Sequence, residues 1–416
     1  MRTVGIIAEY DPFHAGHAFQ LEKAKEASGA DYVVAAMSPD FLQRGEPALL
    51  DKWVRARMAL EAGADLVLEL PVRCAVGSAE FFAEGGVRLL HALGCIDALS
   101  FGCEAADRFG LLEQAARFLA APEPEEYQAL LKEKLRAGVS YPKARAEALA
   151  QVLGSEEIPE VLREPNNILA VEYRKAMIRL GSRMEAVPVR RMGAYHAGAE
   201  ASAHQPASSS GTDAPGFASA SAIRAALISN GMRLPEEWKR QLPASSLHLL
   251  EEELENRRYV LGSGLDLLLH RVLLERQEEL ETFTDIDEDL ANRIRSLLNR
   301  YTGFYQFASL VHSKQYTLAR IRRALLHVLL GIRKGDRETV SCARVLGFRK
   351  TAQPLLHEIR RRSSVPLSTS LPFPAIPKED VDAAHLWEMI LTNRTKQPLR
   401  HEQQRPLIVY GGAACN

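Results

Sequence analysis

Two histidines three residues apart, His14 and His17, stand in the stretch EYDPFHAGH (9–17) with Gly16 between them. The stretch follows TVGIIA, an apolar run rich in β-branched residues, and precedes AFQLEKAKEAS, whose spacing predicts a helix. Asp11, Pro12, His14, Gly16 and His17 therefore sit where a buried strand turns into a helix. Such a turn presents free backbone N–H groups and the positive end of the helix dipole, which suits phosphate. Gly16 lets a phosphate approach the backbone, and His14 and His17 share one face of the first helical turn. Both imidazoles could donate to the same phosphate oxygens and stabilise charge that builds up during attack on phosphorus. Capping and packing histidines are the plain alternative, but Pro12, Gly16 and the position directly after the first strand favour the phosphate site. A zinc pair lacks a third ligand nearby, and no metal-ligand set is read anywhere in the chain.

The elements around this turn alternate. TVGIIAEY, DYVVAAMS, DLVLEL and IDALSFG read as strands, with helices over 17–27, 51–62 and 78–93 between them. Strands with helical spacers predict βαβ units and a parallel sheet buried on both faces. Residues 105–180 read as mostly helical, and EAVPVR (185–190) as one more strand. The Ala/Ser/Gly-rich run 197–221 reads as a long mobile loop. SAIRAALISNG then reads as a short helix with Ser at its start and Gly at its end. Beyond about 245 the pattern is helical until RPLIVYG near the end. The fold class predicted is α/β, a Rossmann-like parallel-sheet domain over 1–240 followed by a mainly helical domain over 241–416.

Composition excludes several classes. No run of eighteen apolar residues occurs, so no transmembrane span is predicted. The five cysteines show no CxxC spacing and are odd in number, which speaks against a zinc site or a disulfide framework and for a reduced, cytoplasmic protein. The net charge of −1 speaks against a uniformly basic nucleic-acid binder. One stretch departs from that average: 290–335 holds no Asp or Glu, but carries Arg293, Arg295, Lys314, Arg320, Arg322 and Arg323 together with Tyr316 and other aromatics. Cations neutralise phosphates and aromatics stack on splayed bases, so this stretch is read as an RNA-binding surface. An amphipathic core helix with a solvated basic face is the alternative, because Leu318, Ile321, Leu325 and Leu329 have core spacing.

YDPFHAGH resembles the opening motif of the HxGH nucleotidyltransferase superfamily, and ASASAIR (218–224) resembles that superfamily's later ISSTxIR element. The order of GIIAEYDPFHAGH, MSPDFLQRGEPALLDKW (37–53), SFGCE (100–104), EPNNILAVEY (164–173), VPVRRMGAYH (187–196) and SKQYTLARIRRALLHVLL (313–330) is similar to the bacterial tRNA(Met) cytidine acetate ligase family. Asp11, Ala15, Pro39 and Asp40 depart from the family's usual pattern. The resemblance implies a ligase that activates acetate with ATP to acetyl-adenylate and then acetylates N4 of the wobble cytidine of elongator tRNA(Met). ATP is the substrate, accompanied by Mg2+. No membrane and no obligatory protein partner is implied.

The resemblance also assigns residues. Catalysis falls to His14, His17 and Arg44, whose guanidinium suits a carboxylate. The turn Ile7, Ala8, Glu9, Tyr10, Asp11, Pro12, Phe13, His14, Gly16, His17 and Gln20 is assigned to ATP. Gly102, at the end of the fourth strand, leaves room for the adenosine. Asn166 and Asn167 either cap their helix or reach the nucleotide. Of Arg190 and Arg191, one meets nucleotide and the other is solvated. Ser219, Ser221 and Arg224 form a clamp for the β- and γ-phosphates. Lys52 and Arg55 read as solvated helix positions. Two other functions compete. A nucleotidyltransferase acting on a small molecule has no use for the basic helical region, and a non-catalytic RNA binder has no use for an intact His14, Gly16 and His17.

Overall fold

TVGIIA forms β1 (Thr3–Ala8), and its side chains alternate between two cores as a strand requires. Val4 and Ile6 pack with the helices Ala15–Ser28 and Lys52–Glu61, whereas Ile7 packs on the opposite face with the helix Ala79–Ala92. The structure, a computed structural model, describes residues 1–191, 216–335, 340–398 and 401–411. Most of the stretch read as a mobile loop lies outside the described residues.

The remaining strands are β2 (Tyr32–Met37), the short hairpin pair β3 (Phe41–Leu42) and β4 (Glu46–Pro47), β5 (Leu66–Glu69), β6 (Ala98–Cys103), β7 (Glu185–Arg190), β8 (Ala343–Arg349), β9 (Leu367–Ser368) and β10 (Ile408–Tyr410). The main sheet runs β10-β8-β5-β2-β1-β6-β7, with β9 alongside β8. Strands β5, β2, β1, β6 and β7 are mutually parallel. The chain proceeds outward from β1 through β2 to β5 and returns to β6 on its other side. The crevice at the carboxyl end of β1 is thus a topological switch point, the place where open parallel sheets bind ligands.

The parallel five-stranded core and its helical spacers agree with the sequence reading. A strand at 343–349 was not anticipated: β8 returns from the helical region and pairs antiparallel with β5. Its signal is masked because only Val345, Leu346 and Phe348 are large and apolar, with Gly347 among them and Arg344 and Arg349 on either side. The sheet is therefore shared by chain from both sides of residue 240. A third apolar cluster lies among the helices Asp266–Glu275, Glu288–Leu297, Phe304–Val311 and Leu318–Leu330. Phe41 of β3 enters that cluster, so the hairpin is held by the helices. Gly45, at the hairpin tip, has φ +77, and a Cβ there would lie 2.5 Å from the backbone nitrogen of Arg323. Only glycine fits both constraints.

Lys52 and Arg55 are not solvated; they are 1% and 0% exposed. Lys52 Nζ lies 2.6 Å from Glu69 and 2.6 Å from Glu402, and Arg344 reaches the same two carboxylates at 2.8 and 2.7 Å. Arg55 donates to the carbonyls of Leu50, Glu9, Ser38 and Pro39, which fixes the chain leaving β1 and β2. Asp40 faces this buried network: its carboxylate accepts from the backbone N–H of Lys52 at 2.9 Å. Burial pushes its carboxyl up to about 6, against the pull of Lys52. Removing Lys52 leaves two buried carboxylates with Arg344 alone, the costly way to break an ionic cluster. Lys52→Met should lower the free energy of unfolding by about 3 kcal/mol, measured by urea denaturation; a loss under about 1 kcal/mol would contradict this assignment.

Candidate active site

The helix Ala15–Ser28 begins with His14 as its cap. The backbone N–H of Gly16 donates to His14 Nδ1 at 3.0 Å, and the backbone N–H of His14 donates to His17 Nδ1 at 3.3 Å. This reciprocal capping satisfies two N–H groups that a helix start otherwise leaves orphaned. It also settles the tautomers. With each Nδ1 accepting, the ring proton of the neutral imidazole must sit on Nε2. The rings stack at 3.8 Å, and both line one pocket. The cap is thus present, and it is compatible with the phosphate-binding reading: Nδ1 serves the backbone and Nε2–H remains a donor.

Both rings are held neutral. Burial, then Arg191 and Arg224, lowers His14 to about 3. Burial, His14 and Arg191 hold His17 well below its ordinary value. The preceding turn is tightly packed. Tyr10 has φ +53, a left-handed conformation unusual for an aromatic residue. Its ring packs at 4.8 Å from Phe13 and 4.9 Å from His17, and Tyr10 and Phe13 are 1% and 0% exposed. Both residues shape the turn from beneath, as Ile7 does from the core.

Gln20, Gly102, Arg190 and Arg191 line the same pocket as His14, Gly16 and His17. Arg190 and Arg191 are both exposed. Arg191 Nε lies 3.7 Å from Glu104, which also accepts from Asn166 at 2.5 Å, so Asn166 reaches the pocket through its neighbour. Asn167 departs from both alternatives. It is 1% exposed, and its Oδ1 accepts from the backbone N–H groups of Glu104 and Ala105 at 3.0 and 3.1 Å. It caps the chain leaving β6, which positions Gly102 without touching the pocket.

The second motif lies beside the first. Ser219, rather than Ser221, caps the helix Ala220–Ser229 by accepting from Ala222 at 3.2 Å. The Ser221 hydroxyl is buried without a partner among the described residues. Arg224 Nη1 lies 3.1 Å from the Asp11 carboxylate and donates to the Asp11 carbonyl. Asp11 also accepts from the backbone N–H of Leu49 at 2.8 Å. Gln241 was missed by the sequence reading. Its carbonyl accepts from Ala15 and its side chain accepts from Ala218, so one residue ties both motif helices together. Nothing local in the sequence signals that role.

Arg44, at the tip of the β3–β4 hairpin, is exposed and makes no ion pair among the described residues. Glu46 pairs with Arg322 instead. The basic stretch is revised more extensively. Tyr316 is 2% exposed, and its hydroxyl donates to Asp287 at 2.6 Å, so its ring offers no stacking face. Arg293 donates to the carbonyls of Leu310, Val311 and His312. Arg295 pairs with Glu281, Arg320 with Asp287 and Arg323 with Asp285. The acids that neutralise the stretch lie just before it and on the hairpin. Lys314 remains exposed and without a partner among the described residues.

Gly16→Ala would place a Cβ 2.9 Å from His14 Cε1 and 3.3 Å from Phe217 Cβ. It should displace the ring and cost about 10² in the rate of chemistry at the α-phosphate while far-UV circular dichroism stays unchanged; an unaffected rate would contradict the geometry. A second expectation follows from the lowered His14. Its folded value lies below its unfolded one, so its contribution to stability is complete above pH ~6.5 and is lost as pH falls toward about 3. His14→Gln should therefore lose less stability than the unaltered protein between pH 7 and 5 in urea unfolding; equal slopes would contradict it.

The family model described as HIGH Nucleotidyl Transferase matches residues 1–402. The tRNA(Met) cytidine acetate ligase of Acetivibrio thermocellus is 36% identical over 381 residues, 89% of this chain and 88% of that one. That of Clostridium novyi is 33% identical over 398 residues, 94% and 96% of the two chains. The crystal structure of Thermotoga maritima TmcAL bound with alpha-thio ATP superposes with a TM-score of 0.85 at 30% identity, covering 99% of this chain and 100% of that one. Its apo form gives a TM-score of 0.86. With the paired histidines, the second serine–arginine motif and these likenesses over nearly the whole length, the chain belongs to the HIGH nucleotidyltransferases and, within them, to the tRNA(Met) cytidine acetate ligase family.

Proposed function

We propose that the protein activates acetate with ATP to acetyl-adenylate and acetylates N4 of the wobble cytidine of elongator tRNA(Met). The observation that carries the reading is the pair of stacked imidazoles, each fixed as an Nε2–H donor at a helix start within a pocket that also holds Arg190 and Arg191. The triphosphate, with the Mg2+ it brings as part of the substrate, lies over this helix start. His14 and His17 donate to it as an acetate oxygen attacks the α-phosphate and pyrophosphate departs. Arg44 holds the acetate carboxylate. Ser221, with its unpartnered hydroxyl, and the remaining donors of Arg224 take the outer phosphates. No side chain forms a covalent bond, because acetate is itself the nucleophile.

Residues 1–240 carry this chemistry and 241–416 bring the tRNA. Lys314, exposed and without an ion pair among the described residues, is a cation of the helical region free to meet a phosphate, while Arg322 and Arg323 hold the hairpin. The four described cysteines are free, and no described helix is long and apolar enough to cross a membrane. The tRNA substrate of this reading supports a place in the cytoplasm, and the reading invokes no obligatory protein partner.

Labelled pyrophosphate should enter ATP only when acetate is present and without tRNA, and labelled acetate should enter tRNA(Met) when ATP and the tRNA are added. Exchange that ignores acetate would refute the reading. Lys314→Ala should weaken tRNA binding and reduce the slope of log affinity against log salt by about one, with exchange intact; an unchanged slope would place the RNA contacts elsewhere.

A further inference from the structure

Glu9 is out of place in a turn built for a triphosphate. It directly follows β1 at the switch-point edge, and although the resemblance assigns it to ATP with the rest of its turn, its carboxylate repels phosphate, so its part in that turn is the backbone that Arg55 holds and not its side chain. Yet it is held firmly. Its Oε1 accepts from the backbone N–H of Gln43 at 2.7 Å, and its carbonyl accepts from the buried Arg55 at 2.7 Å. Its second carboxylate oxygen makes no hydrogen bond among the described residues, and the side chain is only half-buried, so one oxygen is fixed to the hairpin and the other is open.

The charged and titratable groups that face it come from several elements. Arg44 belongs to the hairpin, Arg224 to the helix Ala220–Ser229, Asp11 to the same turn and Tyr173 to the helix Pro165–Arg179. Arg44 and Arg224 are the residues suited to the two halves of an acyl-adenylate, the carboxylate on one side and the phosphates on the other. Glu9 lies within electrostatic reach of both.

The two half-reactions differ in their need for a base. Acetate attacks the α-phosphate as an anion, and no proton moves. The exocyclic amine of cytidine is a poor nucleophile that must lose a proton as it attacks. We propose that Glu9 is the general base of the second half-reaction, receiving on its open oxygen the proton that the attacking amine releases. The N4–C bond forms, the bond between the acetyl carbon and the phosphate oxygen breaks, AMP leaves with the electron pair, and the proton passes from N4 to Glu9 and then to water. Burial raises the Glu9 carboxyl above its ordinary value while Arg44 pulls it down, which suits a base that must also release its proton. This inference rests on the proposed acetate–tRNA ligation.

The test separates the half-reactions in Glu9→Gln, which keeps the size and the hydrogen bond from Gln43. Adenylate formation is read by acetate-dependent pyrophosphate exchange and by trapping with hydroxylamine, whose attack needs no enzymic base. Transfer is read in single turnovers on tRNA(Met), with tRNA affinity measured alongside. Glu9→Gln should trap acetohydroxamate within a few-fold of the unaltered rate, bind tRNA equally, and transfer about 10²-fold more slowly or worse, with the acid limb of the transfer pH profile gone. Transfer at the unaltered rate, or a parallel loss of both half-reactions, would overturn the assignment. If the unaltered protein itself shows no acetate-dependent exchange, the ligation reading fails and takes this inference with it; that outcome is distinct from either result with the variant.

Discussion

The hydrogen bonds that the backbone N–H groups of Gly16 and His14 donate to the imidazoles of His14 and His17 do two things with one geometry. They close the start of a helix, and they force both ring protons onto Nε2. A helix start already favours an anion through its dipole and free N–H groups. Here two further donors are added without adding charge, since burial and the nearby arginines keep the rings neutral. Neutral donors suit a site that must bind a triphosphate and then release pyrophosphate and AMP.

The rest of the molecule places that turn. Gln241 ties the helix of the first motif to the helix of the second. Arg55 gathers three carbonyls where β1 and β2 end and a fourth, that of Leu50, before its own helix, and the cluster of Lys52, Glu69, Arg344 and Glu402 joins β5 to chain more than three hundred residues away. The hairpin bearing Gln43 and Arg44 is pressed onto the helix Leu318–Leu330 at Gly45 and by Glu46–Arg322. The proposed acetate and tRNA regions therefore share a boundary made of backbone contacts and ion pairs rather than a flexible linker.

The turn was legible because its parts are contiguous: an apolar run, Pro12, Gly16 and two histidines at helical spacing need no distant partner to be recognised. The parallel strands were legible because burial on both faces leaves near-continuous apolar runs. Charged residues were read worst. Lys52 and Arg55 look solvated in any local window, because the carboxylates and carbonyls that justify burying them come from elsewhere in the chain. The acid-free stretch 290–335 looks like a free basic surface until the fold brings Glu281, Asp285, Asp287 and Glu46 against its arginines. Asn167, read as a cap of its own helix or a reach to the nucleotide, instead accepts from the chain leaving β6, because backbone groups needing a partner are invisible in a sequence.

The most direct test of this account is the nitrogen-15 spectrum of the two imidazoles, assigned with His14→Gln and His17→Gln. Neutral rings protonated at Nε2, with Nδ1 in the shift range of a hydrogen-bond acceptor, are predicted at pH 7 both free and with a non-hydrolysable ATP analogue. Doubly protonated rings, or protons on Nδ1, would mean that the backbone does not set the tautomers, and the explanation of the site would fall.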